Sequence, residues 1–341
     1  MRRITLILSD LYLPAEFGRP AAGPVASFPS TLDMPNFDWL LRFAERVERI
    51  EDWRSWLSAD LGAFDLARMS VAQCCALRTL PAASSRNAWL ATPVHLEARI
   101  DHVRLADRGL LRLSAQERDS WRQDFSLAFG PEYALHDAGE RGFLLSGAAP
   151  ARVASVDPSR LLDADIGQAL PTGPSAGELR RLGTEIEMWL HGAPANVARE
   201  HLRSRRVSAL WLWGGGSLGD GATETAPTAD VTESRKPQVF GGDPFLTALA
   251  GISVDPAPRS FSELDAGGKH IVVELAPMSG ATSEALAELE THWFAPARAA
   301  LNSGNADAID VVANDRRFRV GRRPGWRLWR RRASWLTRLA L

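Results

Sequence analysis

Apolar residues first gather at residues 4–8, a short run that predicts a buried central strand ending on Ser9 and Asp10. Residues 14–30 are rich in Pro, Gly and Ala and predict a loop. Asp33, placed to cap, and Pro35, suited to a first turn, then predict the start of a helix. Phe37, Leu40, Leu41, Ala44 and Val47 would form its apolar face. The opening unit is therefore strand, long loop, helix.

Farther along, residues 89–95 and 100–105 read as two strands joined by a polar turn. Ser114 and Glu117 form a Ser-x-x-Glu capping box and predict a helix over 114–125, followed by a short strand at 142–146. Ser175 and Glu178 repeat the capping signal. Leu179, Leu182, Ile186, Trp189 and Leu190 follow at helical spacing, and Gly192 and Pro194 end the helix. Residues 207–213 predict a strand that runs into three glycines, and 217–238, nearly free of large apolar residues, predict a mobile loop. Strands at 271–275 and 309–313, with a helix over about 283–301, complete the pattern. Such alternation predicts an α/β fold whose mostly parallel central sheet is flanked by helices.

Length and composition narrow this picture. At 341 residues the chain exceeds an ordinary domain, and 45% hydrophobic content is enough for a substantial core. We expect one α/β domain over 1–320, carrying an inserted subdomain at about 90–205, with a basic Arg/Trp-rich tail at 321–341. A net charge of -1 gives no global attraction for nucleic acid or an anionic membrane. The adjacent Cys74 and Cys75 provide no disulfide framework. The apolar start is too short for a secretory signal and Asp10 interrupts it, and no stretch reaches the length of a membrane helix, so a cytoplasmic location is expected.

Candidate chemistry is sparse. Asp10, at the carboxyl end of the first strand, lies where open α/β sheets gather ligands, and could hold a divalent metal or bond its own loop amides. His95 ends a predicted strand and could transfer protons or serve structure. Ser70 could be a nucleophile but lacks a nucleophile elbow, and capping explains it as well. Gly214 to Gly216 could let backbone amides approach an anion, yet no Lys-Ser/Thr follows, so a P-loop is rejected. Trp211 and Trp213 share one side of their strand, where they could line a pocket or fill core. Trp326, Trp329 and Trp335 lie among arginines, and docking on the protein's own surface or on a partner is favoured over nucleic acid or membrane.

Three segments together resemble the RpfE-type regulatory protein family of phosphoglycerate mutase-like proteins. They are Thr92-Pro-Val-His-Leu96, the run Glu185-Ile-Glu-Met-Trp-Leu-His191 with Asn196 and Arg199-Glu200 after it, and Leu210-Trp-Leu-Trp-Gly-Gly-Gly216. More distantly, Asp10, Met34-Pro-Asn-Phe-Asp-Trp-Leu40, Asp157-Pro158 and the stretch from His191 to Gly216 are similar to archaeal-type cofactor-independent phosphoglycerate mutases of the alkaline phosphatase superfamily. The resemblance implies that fold. The candidate ligand-binding residues are then Asn196, Arg199, Trp211, Trp213, Gly214 and Gly216; the candidate catalytic residues, should an enzyme survive, are Asp10, Ser70 and His95, with Asp10 and Asp315 as possible metal ligands.

Such mutases use two divalent metals. Here Leu275-Ala-Pro-Met-Ser-Gly stands where an Asp-x-x-x-His is implied, and Asn314-Asp315-Arg316 where an Asp-His is implied. The expectation is therefore a regulatory protein that has lost its two-metal site, has no cofactor, and binds a small-molecule or protein partner, with the tail as a docking element. The alternative is a divergent phosphomutase or phosphohydrolase dependent on manganese or zinc.

Overall fold

The computed structural model describes residues 2–13, 32–80, 88–148, 153–215, 236–249, 252–265, 269–277, 282–322 and 333–340. Gly216, Trp326, Trp329 and nearly all of the two predicted loops lie outside these residues. In chain order the strands begin with β1 (Arg3–Leu8), β2 (Arg46–Arg49), β3 (Trp89–Ala98), β4 (Val103–Leu110), β5 (Tyr133–Asp137) and β6 (Phe143–Gly147). They continue with β7 (Ala209–Trp213), β8 (Gln238–Phe240), β9 (Val254–Asp255), β10 (His270–Leu275), β11 (Ala308–Ala313) and β12 (Arg316–Gly321). The helices begin with α1 (Pro35–Phe43), α2 (Trp53–Asp60), α3 (Phe64–Ala67), α4 (Val71–Thr79), α5 (Ala115–Phe129), α6 (Ala176–Gly192) and α7 (Pro194–His201). After α8 (Pro244–Ala248), α9 (Thr282–Leu289) runs through a π-helical turn at Glu290–Phe294 into α10 (Ala295–Ser303), and α11 (Trp335–Ala340) follows.

The chain forms two compact units. The first comprises Met1–Gly62, Val231–Gly242 and Gly251–Leu341; the second comprises Ala63–Asp230 and Asp243–Ala250.

The first unit holds a sheet of order β2-β12-β11-β1-β10-β8-β9. From β11 to β9 every neighbouring pair is parallel, as expected, and β1 sits centrally with Ile4, Leu6 and Ile7 fully buried. At the other edge β12 and β2 are antiparallel, so the sheet is mixed, and the expected parallel pairing holds only from β11 to β9. The reason is local. Ala313 pairs with Arg316, and the two residues between them, Asn314 and Asp315, have φ of 48° and 54°. Two left-handed residues make the tight turn that reverses a strand at once, whereas a parallel return needs a crossover.

Helix α1 forms where predicted, but Val47 does not belong to its face: it lies on β2 and is about half exposed. Nor does Asp33 cap the helix. Glu290 does so from the π-helical turn, its Oε1 accepting from the Asn36 amide at 2.7 Å and its Oε2 from the Phe37 amide at 3.1 Å. Phe37 stacks on Phe294 at 4.4 Å and meets Trp335 at 5.7 Å, which seats α1 and α11 together. The tail tryptophan Trp335 is thus docked on its own unit.

A chain of charges crosses the amino-terminal half of this sheet. Asp310, fully buried in β11, accepts from Arg3 Nε and from Arg317 Nε at 3.0 Å. Arg3 also holds Asp60 at the end of α2, with bonds of 2.8 and 3.1 Å, and Arg317 Nη1 reaches Glu48 at 2.9 Å. A buried carboxylate is tolerable here because two guanidinium groups meet it.

In the second unit the sheet has order β4-β3-β6-β5, with β7 added to β3 along its other edge, and every pair is antiparallel. This too departs from the parallel expectation. Its core gathers Trp89, Phe143 and Leu145 from the strands against Trp121 and Phe125 of α5 and Leu182 and Ile186 of α6. The capping box at Ser114 and Glu117 is formed in both directions. The one at Ser175 is not: its backbone at φ -100° and ψ 15° is not the extended conformation from which a cap reaches the first turn. Ile100 is fully exposed in the β3–β4 turn rather than part of a strand. Gln238, placed in a loop by composition, pairs with Ile271.

Candidate functional site

In the first unit, the carboxyl ends of the parallel strands are where this kind of sheet gathers ligands. β1 ends on Ser9 and Asp10, both buried, and Asp10 is only 4% exposed. Beside them, on β10, lies Glu274, 1% exposed and in register with Ile7. The Ser9 hydroxyl donates to Glu274 Oε1, and the Gly242 amide donates to Oε2 at 3.0 Å. Ser9 and Glu274 escaped sequence reasoning. A signal was available in β10, whose run His-Ile-Val-Val-Glu-Leu puts a carboxylate inside an otherwise apolar buried strand.

At the neighbouring strand end, Asn314 fastens three segments. Its Oδ1 accepts from the Leu13 amide at 3.0 Å and its Nδ2 donates to the Leu339 carbonyl at 2.7 Å. Its own amide donates to the Leu11 carbonyl at 3.1 Å. Arg316 Nε donates to the same Leu339 carbonyl at 3.0 Å. Asp315 occupies the second turn position, and its carbonyl accepts from the Ile50 amide at 2.9 Å. The stretch that the resemblance assigns to metal ligands is built as a hairpin turn holding the C-terminal helix.

Two divalent cations need several carboxylates and imidazoles converging on them. Both oxygens of Glu274 are met by protein donors, and among the described residues no three His, Cys, Asp or Glu side chains are grouped to hold a metal ion.

The other candidates lie in the second unit. Ser70 caps α4, its hydroxyl accepting from the Gln73 amide while the Gln73 side chain accepts from the Ser70 amide. His95 Nδ1 lies 2.9 Å from the Arg206 carbonyl, which assigns the proton to that nitrogen. Asn196, 1% exposed, donates to the Leu190 and Val207 carbonyls at 2.8 and 3.0 Å and accepts from the Val207 amide at 2.8 Å. Arg199 binds the Arg205 carbonyl at 2.7 Å and the Glu117 carboxylate. Asn196 and Arg199 therefore tie α7 to the segment leading into β7 and to the start of α5.

The indole nitrogens of Trp211 and Trp213 are spent within the unit, donating to the Val156 carbonyl at 2.9 Å and the Thr92 hydroxyl at 2.8 Å. Gly214 has φ of 61°, a conformation a glycine adopts without strain. Its amide donates to the Ser155 hydroxyl and its carbonyl accepts from the Ala72 amide. Gly215 lies against the Trp89 ring so closely that a Cβ would come within 2.1 Å of it. Gly214 and Gly215 thus form a packed strand end, with the Gly214 amide turned to the protein.

The second unit also contains a cavity of about 530 Å³ between α6, β7 and the segment around Ile166; Trp211, named from the sequence as a possible pocket wall, lines it, and Trp213 is not among the lining residues. Among the described residues, no helix is long and apolar enough to cross a membrane.

No family model and no curated protein matches the chain. Among solved structures, it is similar to a cofactor-independent phosphoglycerate mutase from Thermoplasma acidophilum DSM 1728, at 15% identity and a TM-score of 0.36, over 94% of this chain and 89% of that one. It is also similar to the PH0037 protein from Pyrococcus horikoshii, at 11% identity and a TM-score of 0.43, over 94% of this chain and 87% of that one. Both are likenesses in outline, and what the site can do follows from this chain's own residues.

Proposed function

We propose that this chain is a regulatory protein of the RpfE type on a phosphoglycerate mutase-like scaffold, acting by binding a ligand or partner without a two-metal centre. The observation that supports this most is the turn at Asn314 and Asp315. Asn314 spends both ends of its amide on Leu13 and Leu339, and the turn carries α11 where a metal-binding pair would have to stand. Ser70, the candidate for carrying a phosphoryl group, is engaged as a helix cap.

Asp10 and Glu274 favour the second reading, a divergent metal-dependent phosphomutase or phosphohydrolase. Both are buried carboxylates at the carboxyl ends of neighbouring parallel strands, where such chemistry is placed. Turnover separates the two readings. The full chain, assayed on phosphoglycerate and a panel of phosphoesters with and without added manganese or zinc, is expected to show no metal-dependent hydrolysis or isomerisation. Turnover that needs the metal and disappears in Asp10→Asn would establish the enzyme instead.

A further inference from the structure

The cavity in the second unit runs along a strand edge. Four consecutive residues of β7, Ala209 to Leu212, line it, and successive strand residues face opposite sides. A space that touches all four therefore follows the backbone edge rather than one face. Among the described residues β7 pairs with β3 alone, so this edge offers main-chain donors and acceptors outward. Opposite lies α6, which contributes Leu179, Gly183 and Glu187, spaced one turn apart along a single helical stripe. From Leu179 to Glu187 the helix rises about 12 Å and from Ala209 to Leu212 the strand rises about 10 Å, so the two walls are similar in length. Gly183 keeps the groove open, since a Cβ there would meet nothing within 4 Å.

The third wall is apolar, formed by Ile166, Leu170 and Pro171, and Leu170 is 41% exposed. Carboxylates predominate at the rim: Asp101, Asp165 and Glu187 face one guanidinium, Arg180, and one imidazole, His102. Asp101 is already paired with His102 at 2.6 Å. Glu187 is exposed as a residue, yet partial burial pushes its carboxyl up from the ordinary value, and a cation beside it would relieve that cost.

We propose that this groove binds an extended peptide segment of a partner protein, about four residues long, which adds a strand to β7. Its apolar side chains would enter the space between α6 and Ile166, and its Lys or Arg would face Glu187 and Asp165. Main-chain bonds to β7 supply affinity; the apolar walls and acidic rim supply selectivity. The site does not depend on the proposed lack of metals, because a chain that bound two cations could still carry it.

The test uses the full chain and a displayed library of random heptapeptides. Selection is expected to enrich sequences in which apolar residues alternate with Lys or Arg. Calorimetry with the best of these peptides should show at least a tenfold loss of affinity in Gly183→Leu, which fills the groove while favouring the helix. Glu187→Lys, a surface change that leaves the fold intact, should lose at least fivefold. Methylating alternate backbone nitrogens of the peptide should abolish binding. No enrichment, equal binding by Gly183→Leu, or equal binding of the methylated peptide would overturn the proposal. The last result would mean a pocket for side chains or small amphipathic cations rather than an added strand.

Discussion

Asp310 is the residue whose loss this fold should feel most. It is fully buried, and its two oxygens hold Arg3 and Arg317, the latter with a side chain only 9% exposed. Such a pair adds little over an apolar replacement, but removing one partner strands the other charge. Asp310→Ala should therefore cost about 3–5 kcal/mol. In urea this would appear as a lower midpoint with an unchanged slope. His270, at the start of β10, is the titrating counterpart. Burial first, then Arg3, pulls its imidazole down to about 4, with Arg319 adding to the effect and Asp60 and Asp310 opposing it. The unfolded chain protonates this group near 6.5, so between pH 6.5 and 4 only the unfolded state takes up the proton. The stabilising contribution is thus complete above pH 6.5 and fades as pH falls, by about 3 kcal/mol at most. His270→Gln should remove that slope: between pH 6.5 and 4 the parent should lose up to about 3 kcal/mol of unfolding free energy relative to the variant, and parallel curves would contradict the assignment.

At the scale of elements, two serines that look alike in sequence should behave differently. Ser114 closes a complete capping box and Ser175 makes no cap bond. Ser114→Ala should cost about 1 kcal/mol, and Ser175→Ala less than about 0.5 kcal/mol, in matched unfolding titrations. The signal Ser-x-x-Glu specifies residue types but not the extended backbone that a cap requires, so it held at one site and failed at the other. α1 teaches the same lesson. Its start was legible from Pro35, but its cap, Glu290, lies more than 250 residues away and leaves no local trace. Asn314 shows an element anchored by one side chain. Asn314→Gly preserves the left-handed turn while removing the bonds to Leu13 and Leu339. Amide exchange in α11 should rise at least tenfold while β11 and β12 stay protected; exchange confined to baseline in α11 would show that Trp335 and its neighbours hold the helix without Asn314.

For the whole molecule, apolar runs disclosed the central strands β1, β10 and β11, because a strand buried on both faces has no polar alternation to blur it. The antiparallel edge of the first sheet was hidden. It depends on two positive φ values at Asn314 and Asp315, and the second residue of that turn is not a glycine. The site was legible only in part. The place of Asp10 after β1 and the nomination of Trp211 as a possible pocket wall came from sequence, whereas the Ser9–Glu274 pair and the shape of the groove along β7 arise from pairing between distant segments. Asn196 and Arg199 turned out to spend their hydrogen bonds on α7 and its surroundings, a use that spacing cannot distinguish from ligand binding.

The central claim is that this scaffold binds rather than catalyses and assembles no two-metal centre. Native mass spectrometry of the full chain titrated with manganese tests it most directly. The account predicts no saturable stoichiometric uptake and a spectrum for Asp10→Asn that matches the parent. Two manganese ions bound per chain, with one lost in Asp10→Asn, would contradict it.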